Sequence, residues 1–150
     1  VGYAATVSSI GFNTASYLAT FEGVFNNGII ETPIFINNLA TDNDWNLIGN
    51  PYPSAIDFDD LHAQNTSVIG GAAYLWSHAS PPETGNGGNQ VLNFNANDYA
   101  IITVWSGTIA GSGTLTDNNI PNLENTIPSG QGFFVIGLSN GMVTFNNSIL

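Results

Sequence analysis

Apolar and polar residues alternate with a period of two along most of this chain, and that rhythm constrains its fold more than any other feature. Tyr17, Ala19 and Phe21 alternate with Ser16, Thr20 and Glu22, with Leu18 as the exception. In the next run Ile30, Thr32, Ile34 and Ile36 share one face, opposite Ile29, Glu31, Pro33 and Phe35. Successive side chains of a strand point to opposite faces of a sheet, so both runs read as strands. Between them lies Asn26-Asn27-Gly28, which supplies the positive-φ positions of a tight hairpin. Pro33 places its strand at a sheet edge, because proline has no N–H to give to a ladder.

Further β-like runs are Ala4–Ile10, Trp45–Gly49, Ala72–Ser77, Val91–Asn95, Tyr99–Trp105, Gly132–Gly137 and Met142–Asn146, with Ser139-Asn140-Gly141 turning the last pair. Helix is confined to a turn or two over Asp57–Gln64, where Asp57 serves as cap and Asp59 and Asp60 favour the positive end of the helix dipole. The expected fold is all-β: a two-layer antiparallel β-sandwich of jelly-roll or Greek-key type with about nine strands and at most one short helix, a barrel being the alternative. A chain of 150 residues suits one domain with a single core, so residues 1–150 are read as one sandwich domain. Gly and Asn concentrate in Ser80–Gln90 and Ser106–Asn125; these read as long loops, where binding usually sits on a rigid β scaffold.

Charge narrows the function. The chain has 11 Asp and Glu, no Lys and no Arg, for a formal net charge of −11; average usage would give about sixteen basic residues at this length. With nothing to neutralise phosphate, nucleic-acid and nucleotide binding are disfavoured, and anionic membrane surfaces repel the chain. No apolar run is long enough to span a membrane, so no membrane insertion is expected. The N-terminus lacks a signal-peptide pattern, which predicts a mature form or a segment of a longer chain. Absence of Cys removes disulfides, thiolate metal sites and thiol catalysis together. It also leaves stability to the core or to bound cations. Trypsin finds no site in the sequence.

The most specific stretch is Trp45-Asn46-Leu47-Ile48-Gly49-Asn50-Pro51-Tyr52-Pro53-Ser54-Ala55-Ile56-Asp57-Phe58. It reads as a buried strand running into a rigid corner: the prolines push Asn50 and Tyr52 towards extended geometry, and Tyr52-Pro53 is a candidate cis bond. This string resembles the "WNLxGNPYPS" segment of β-rich modules in large secreted and cell-surface proteins of Bacteroidota, many carried by the type IX secretion system. Other parts match in order: Gly2-Tyr3, Phe21-Glu22-Gly23 followed by Asn26-Asn27-Gly28, Ala73-Tyr74-Leu75-Trp76, Ile127-Pro128-Ser129-Gly130-Gln131-Gly132-Phe133-Phe134-Val135, and Val143-Thr144-Phe145-Asn146-Asn147. The resemblance spans nearly the whole chain. It implies an extracellular or cell-surface module of a long multidomain protein, with no catalytic residues attached. The chain departs from that pattern where Ser148-Ile149-Leu150 follows the closing Phe-x-Asn in place of a basic residue.

Acidic clusters occur at Asp42-Asn43-Asp44, Asp57-Phe58-Asp59-Asp60 and Asp117-Asn118-Asn119. Carboxylate and amide oxygens in loops suit Ca²⁺, which takes oxygen ligands; Asp42, Asp44, Asp57, Asp59 and Asp60 are the candidate ligands. No EF-hand spacing is present, and solvated turn and cap residues give the same pattern. The absence of any ammonium or guanidinium argues for some cation dependence.

The three Trp, at 45, 76 and 105, lie in or at the end of expected strands, which assigns them to the core. Tyr52, Tyr99 and the loop Ser80–Gln90 are then the candidates for an exposed glycan platform, where a ring stacks on the apolar face of a sugar. His62 and His78 are too few and too far apart in sequence for a metal centre. Glu22, Glu31, Glu83 and Glu124 could supply the paired acids of a glycosidase only if two converged in a cleft, and no Gly-x-Ser-x-Gly elbow is present. The leading expectation is therefore a non-catalytic structural or adhesion module that meets neighbouring modules or identical subunits, with self-assembly through strand edges as one route. A carbohydrate-binding module that takes surface glycans is the alternative. A glycoside-active enzyme ranks last.

Overall fold

Alternation in residues 132–137 places Phe133, Val135 and Gly137 on one side of a strand and Phe134 and Ile136 on the other, and the fold is organised around that strand. The computed structural model describes residues 22–37, 44–76, 83–85, 99–104, 107–110 and 125–150. In chain order the strands are β1 (Ile30–Ile34), β2 (Trp45–Gly49), β3 (Ile56–Asp57), β4 (Ile69–Trp76), β5 (Tyr99–Thr103), β6 (Gly107–Ala110), β7 (Thr126–Ile127), β8 (Gly132–Gly137) and β9 (Gly141–Phe145). One helix, α1 (Phe58–Gln64), follows β3, and a 3-10 turn over Asn147–Ile149 follows β9.

The largest sheet has the order β2-β8-β4-β5-β6, and all its pairings are antiparallel. Strands β4, β5 and β6 follow one another, and β8 returns to lie beside β4, which is the connectivity of a Greek key. Two smaller ribbons, β1-β9 and β3-β7, complete the all-β, sandwich-like fold. The outer pairings are nested: Ile30 lies opposite Phe145, Trp45 opposite Ile136, and Ile56 opposite Ile127. The first three strands thus meet the last three in reverse order. At the mouth of the β1-β9 ribbon, Gly28 N–H donates to Asn147 Oδ1 at 3.1 Å and Asn147 Nδ2 donates to Asn27 Oδ1 at 2.7 Å.

Inward-facing Ile48, Ala73, Leu75, Ala100, Ile102, Phe133 and Val135 of the five-stranded sheet are buried. They pack against Ile34, Val143 and Phe145 of the β1-β9 ribbon, Ile56 and Ile127 of β3-β7, Phe58 and Leu61 of α1, and Ile149. Phe58 and Phe133 meet edge to face, with centroids 6.4 Å apart. Burying each large side chain of this kind contributes about 1.5–3 kcal/mol. Helix α1 is capped as the sequence predicts: Asp57 has extended backbone, and its Oδ1 accepts from Asp60 N–H at 3.1 Å.

Several expectations are refined. The strands expected at Ala4–Ile10 and Val91–Asn95, and the one at Ser16–Glu22 except for its last residue, lie outside the described residues, as does Trp105. Strand β4 starts at Ile69 rather than Ala72, because Gly70-Gly71 interrupts the alternation without ending the strand. The two-residue strands β3 and β7 are too short for any periodicity to reveal. No cis peptide occurs among the described residues, so Tyr52-Pro53 is trans, contrary to the expected cis bond. Pro33 sits on β1, whose one strand partner among the described residues is β9.

Candidate functional site

The GNPYPS corner is built around Asn50, which is buried. Its Nδ2 donates to the carbonyls of Ser54 at 2.8 Å, Ile127 at 3.1 Å and Pro128 at 3.0 Å, and its Oδ1 accepts from Tyr52 N–H at 2.9 Å. Asn50 N–H donates to Gln131 O at 3.0 Å, and Ser129 Oγ donates to Tyr52 O at 2.7 Å. The two strings most specific in the sequence, at 49–54 and 127–132, therefore bind each other. Their amides satisfy buried backbone groups that a sharp corner would otherwise leave without partners.

Tyr52 is 2% exposed, which corrects its expected place in an exposed platform. Its flanking backbone is held by this network, and its hydroxyl turns inward to donate to the carbonyl oxygen of Gly28. Gly28 has φ 77, a left-handed conformation that costs glycine little. Burial pushes the Tyr52 hydroxyl above its usual value. The ring thus pins residues 26–28 against the corner, where Asn26 Nδ2 also donates to Pro51 O at 2.9 Å.

The outward face of the five-stranded sheet is the opposite case. Trp45, 43% exposed, and Trp76, 37% exposed, lie on the surface rather than in the core where the sequence placed them. Alternation separates the two faces of a strand without saying which one turns inward when both carry apolar residues, as both do in β8. Trp45 meets Tyr74 edge to face at 4.7 Å and 82°, and Phe134 at 6.3 Å and 88°. Phe134 meets Tyr99 at 6.1 Å and 75°. In register, Trp76 lies opposite Tyr99, and Tyr74 opposite both Phe134 and Ile101. A belt of aromatic rings therefore crosses β2, β8, β4 and β5, each ring oriented by its neighbour. Tyr99, a candidate ligand residue from sequence, belongs to it.

The acidic candidates are distributed differently. Asp44, at φ 50, accepts from Asn37 N–H through Oδ1 at 2.7 Å, while its carbonyl accepts from Gly137 N–H at 2.9 Å and Asn46 Nδ2 at 2.8 Å. Asp57 is the cap of α1. Asp59 accepts from Asn125 Nδ2 at 2.8 Å. Asp60 is exposed, and Asp42 and Asp117 lie outside the described residues. Among the described residues, no group of three His, Cys, Asp or Glu side chains is arranged to hold a metal ion. Sequence reasoning missed Asn125: it is buried, has φ 72, and its Oδ1 has no hydrogen-bond partner among the described residues.

Of the Glu residues weighed for catalysis, Glu22, Glu31 and Glu83 are exposed, and Glu124 lies outside the described residues. His62 packs beside Phe58, with ring centroids 6.3 Å apart; His78 lies outside the described residues.

Together the fold and its surface define an all-β, sandwich-like module with an aromatic outer sheet face. The chain belongs to the family described as a domain of unknown function, DUF8693, whose family model matches residues 1–149. No curated protein and no solved structure gives a significant match.

Proposed function

We propose that the chain is a non-catalytic structural and adhesion module of a secreted or cell-surface protein, acting by surface contact rather than chemistry. The aromatic belt carries this reading: Trp45, Tyr74, Phe134 and Tyr99 hold one another edge to face on the outer side of the large sheet. Preoriented rings lose little freedom when a partner covers them, so they suit a contact surface. The resemblance to secreted Bacteroidota modules and the absence of Lys and Arg support the same placement. Neighbouring modules of the same protein or identical subunits are the partners it favours. Contact runs face to face rather than through β1, because Pro33 and Glu31 blunt that edge.

Sedimentation of the chain at moderate salt, across a concentration series, tests the proposal. The expected result is reversible association that Trp45→Ala and Tyr99→Ala abolish while the fold persists.

A second reading, a carbohydrate-binding module, is favoured by the exposure of Trp45 and Trp76, since an open ring face stacks on a sugar. A glycan array with the same two variants separates the readings. Specific glycan capture lost in both variants selects the second. Array silence with a monomer at every concentration overturns the contact reading altogether, and so does turnover of any glycan.

A further inference from the structure

We infer that the occupant of the aromatic face is a second copy of this chain, outer face to outer face, and that ionic strength sets how tightly the two copies hold; the inference rests on the contact reading above. Leu47, Phe134, Tyr74 and Ile101 stand opposite one another across β2, β8, β4 and β5, and Trp45 and Trp76 are exposed to either side of that row. None of these four strands carries an Asp or Glu. The acids of the other elements lie behind the sheet. Phe58 and Leu61 pack α1 against its inner side, which takes Asp57, Asp59 and Asp60 away from the outer face. Glu31 is exposed on the ribbon that covers the same inner side.

Charge selects this arrangement among the ways two copies can meet. Each carries 11 acidic side chains and no Lys or Arg, for a net charge of −11, so neither offers the other a basic side chain to pair with. Joining the uncharged faces buries none of the carboxylates of α1 or β1, which would be costly without a partner, and leaves the two α1 clusters on opposite outer sides of the pair. The same patch meets itself, so the contact closes at two copies. Repulsion still acts between the copies through solvent. It reaches about 30 Å at 0.01 M salt and about 8 Å at 0.15 M, so the pair is opposed in dilute salt and forms as salt rises. That direction is opposite to the response of a contact made by paired charges, which salt weakens.

Sedimentation of the chain in NaCl from roughly 10 to 300 mM tests the inference. The expected result is an equilibrium between one copy and two, whose dissociation constant falls at least about tenfold across the series. Glu22→Gln with Asp60→Asn removes two exposed acids that lie outside the large sheet. This double variant should tighten the pair at least about threefold at the low-salt end and leave it unchanged at the high end. A parent chain labelled at its N-terminus should not pair with excess Trp45→Glu variant, because both faces are needed. Association indifferent to salt, or to the double variant at low salt, overturns the inference and leaves the contact reading standing. Growth beyond two copies, or pairing with the Trp45→Glu variant, does the same. A single copy at every salt concentration overturns both.

Discussion

The side chain of Asn46 pairs with the backbone of Phe35 as a neighbouring strand would: Oδ1 accepts from Phe35 N–H at 3.0 Å, and Nδ2 donates to Phe35 O at 2.9 Å. This closes the end of β1 where the chain leaves the ribbon. Together with Pro33, which has no N–H, and the charged Glu31, it leaves the edge little to offer another strand. Asn46→Ala should cost about 1–3 kcal/mol by stripping both partners from Phe35. Urea unfolding measures that loss, and light scattering should show slow aggregation that the parent chain lacks.

Asn50 holds the GNPYPS corner against the 127–131 turn through one amide. Asn50→Ala should destabilise the fold by at least about 2 kcal/mol, because several buried backbone groups lose their partner together. Asn50→Asp should do nearly the same, since a carboxylate cannot donate to the carbonyls of Ser54, Ile127 and Pro128. Thermal melts of the two variants check this, and full stability in Asn50→Asp would show that the three donated bonds are dispensable.

Tyr52 gives a pH prediction with a definite sign. Its hydroxyl is held above the usual tyrosine value of 10.0 by burial. As pH rises past the usual value, the unfolded chain releases this proton first; the folded state then binds more protons, and stability falls with further increase. Below that range both states are protonated and the group contributes no pH dependence. Tyr52→Phe should lose about 1 kcal/mol at neutral pH with the bond to Gly28. Its decline between about pH 10 and 11 should be shallower than the parent's, which denaturation midpoints across that range would record.

Gly137, at the end of β8, lies where β1 crosses over the large sheet. A methyl group there would come within 2.8 Å of Ile36 Cγ2 and 2.9 Å of Ile34 Cγ2. Gly137→Ala should therefore destabilise by about 1–3 kcal/mol through overpacking. Removing the opposing Cγ2 in Gly137→Ala with Ile36→Ala should recover part of the loss, and a double-mutant cycle by urea unfolding measures that coupling.

Much of this architecture is legible in the residues, for physical reasons. The strands at Trp45–Gly49 and Gly132–Gly137 fall at their expected bounds, because each is a short run rich in β-branched and aromatic residues that closes on a glycine. Asp57 announces α1 because a cap is a local interaction. Inside and outside were harder to assign. Leu47 and Ile48 are both apolar, so period two separates the faces of β2 without orienting them, and the outward turn of Trp45 and Trp76 is visible only in the fold. Tyr52 looked like a surface ring between two prolines; its burial depends on Gly28, 24 residues away. Asn125 carries no sequence signal, since only the folded chain brings it to Asp59.

The nested pairing has a mechanical consequence. Ile30 faces Phe145 across the outermost rung, so tension entering through the backbone on either side of the ribbon pulls one pair of residues apart before the next is loaded. Rungs opened in sequence yield at far lower force than rungs sheared together. The Asn27–Asn147 and Gly28–Asn147 bonds form a latch ahead of the first rung. Under load the ribbon would peel from this end inward, giving way rung by rung.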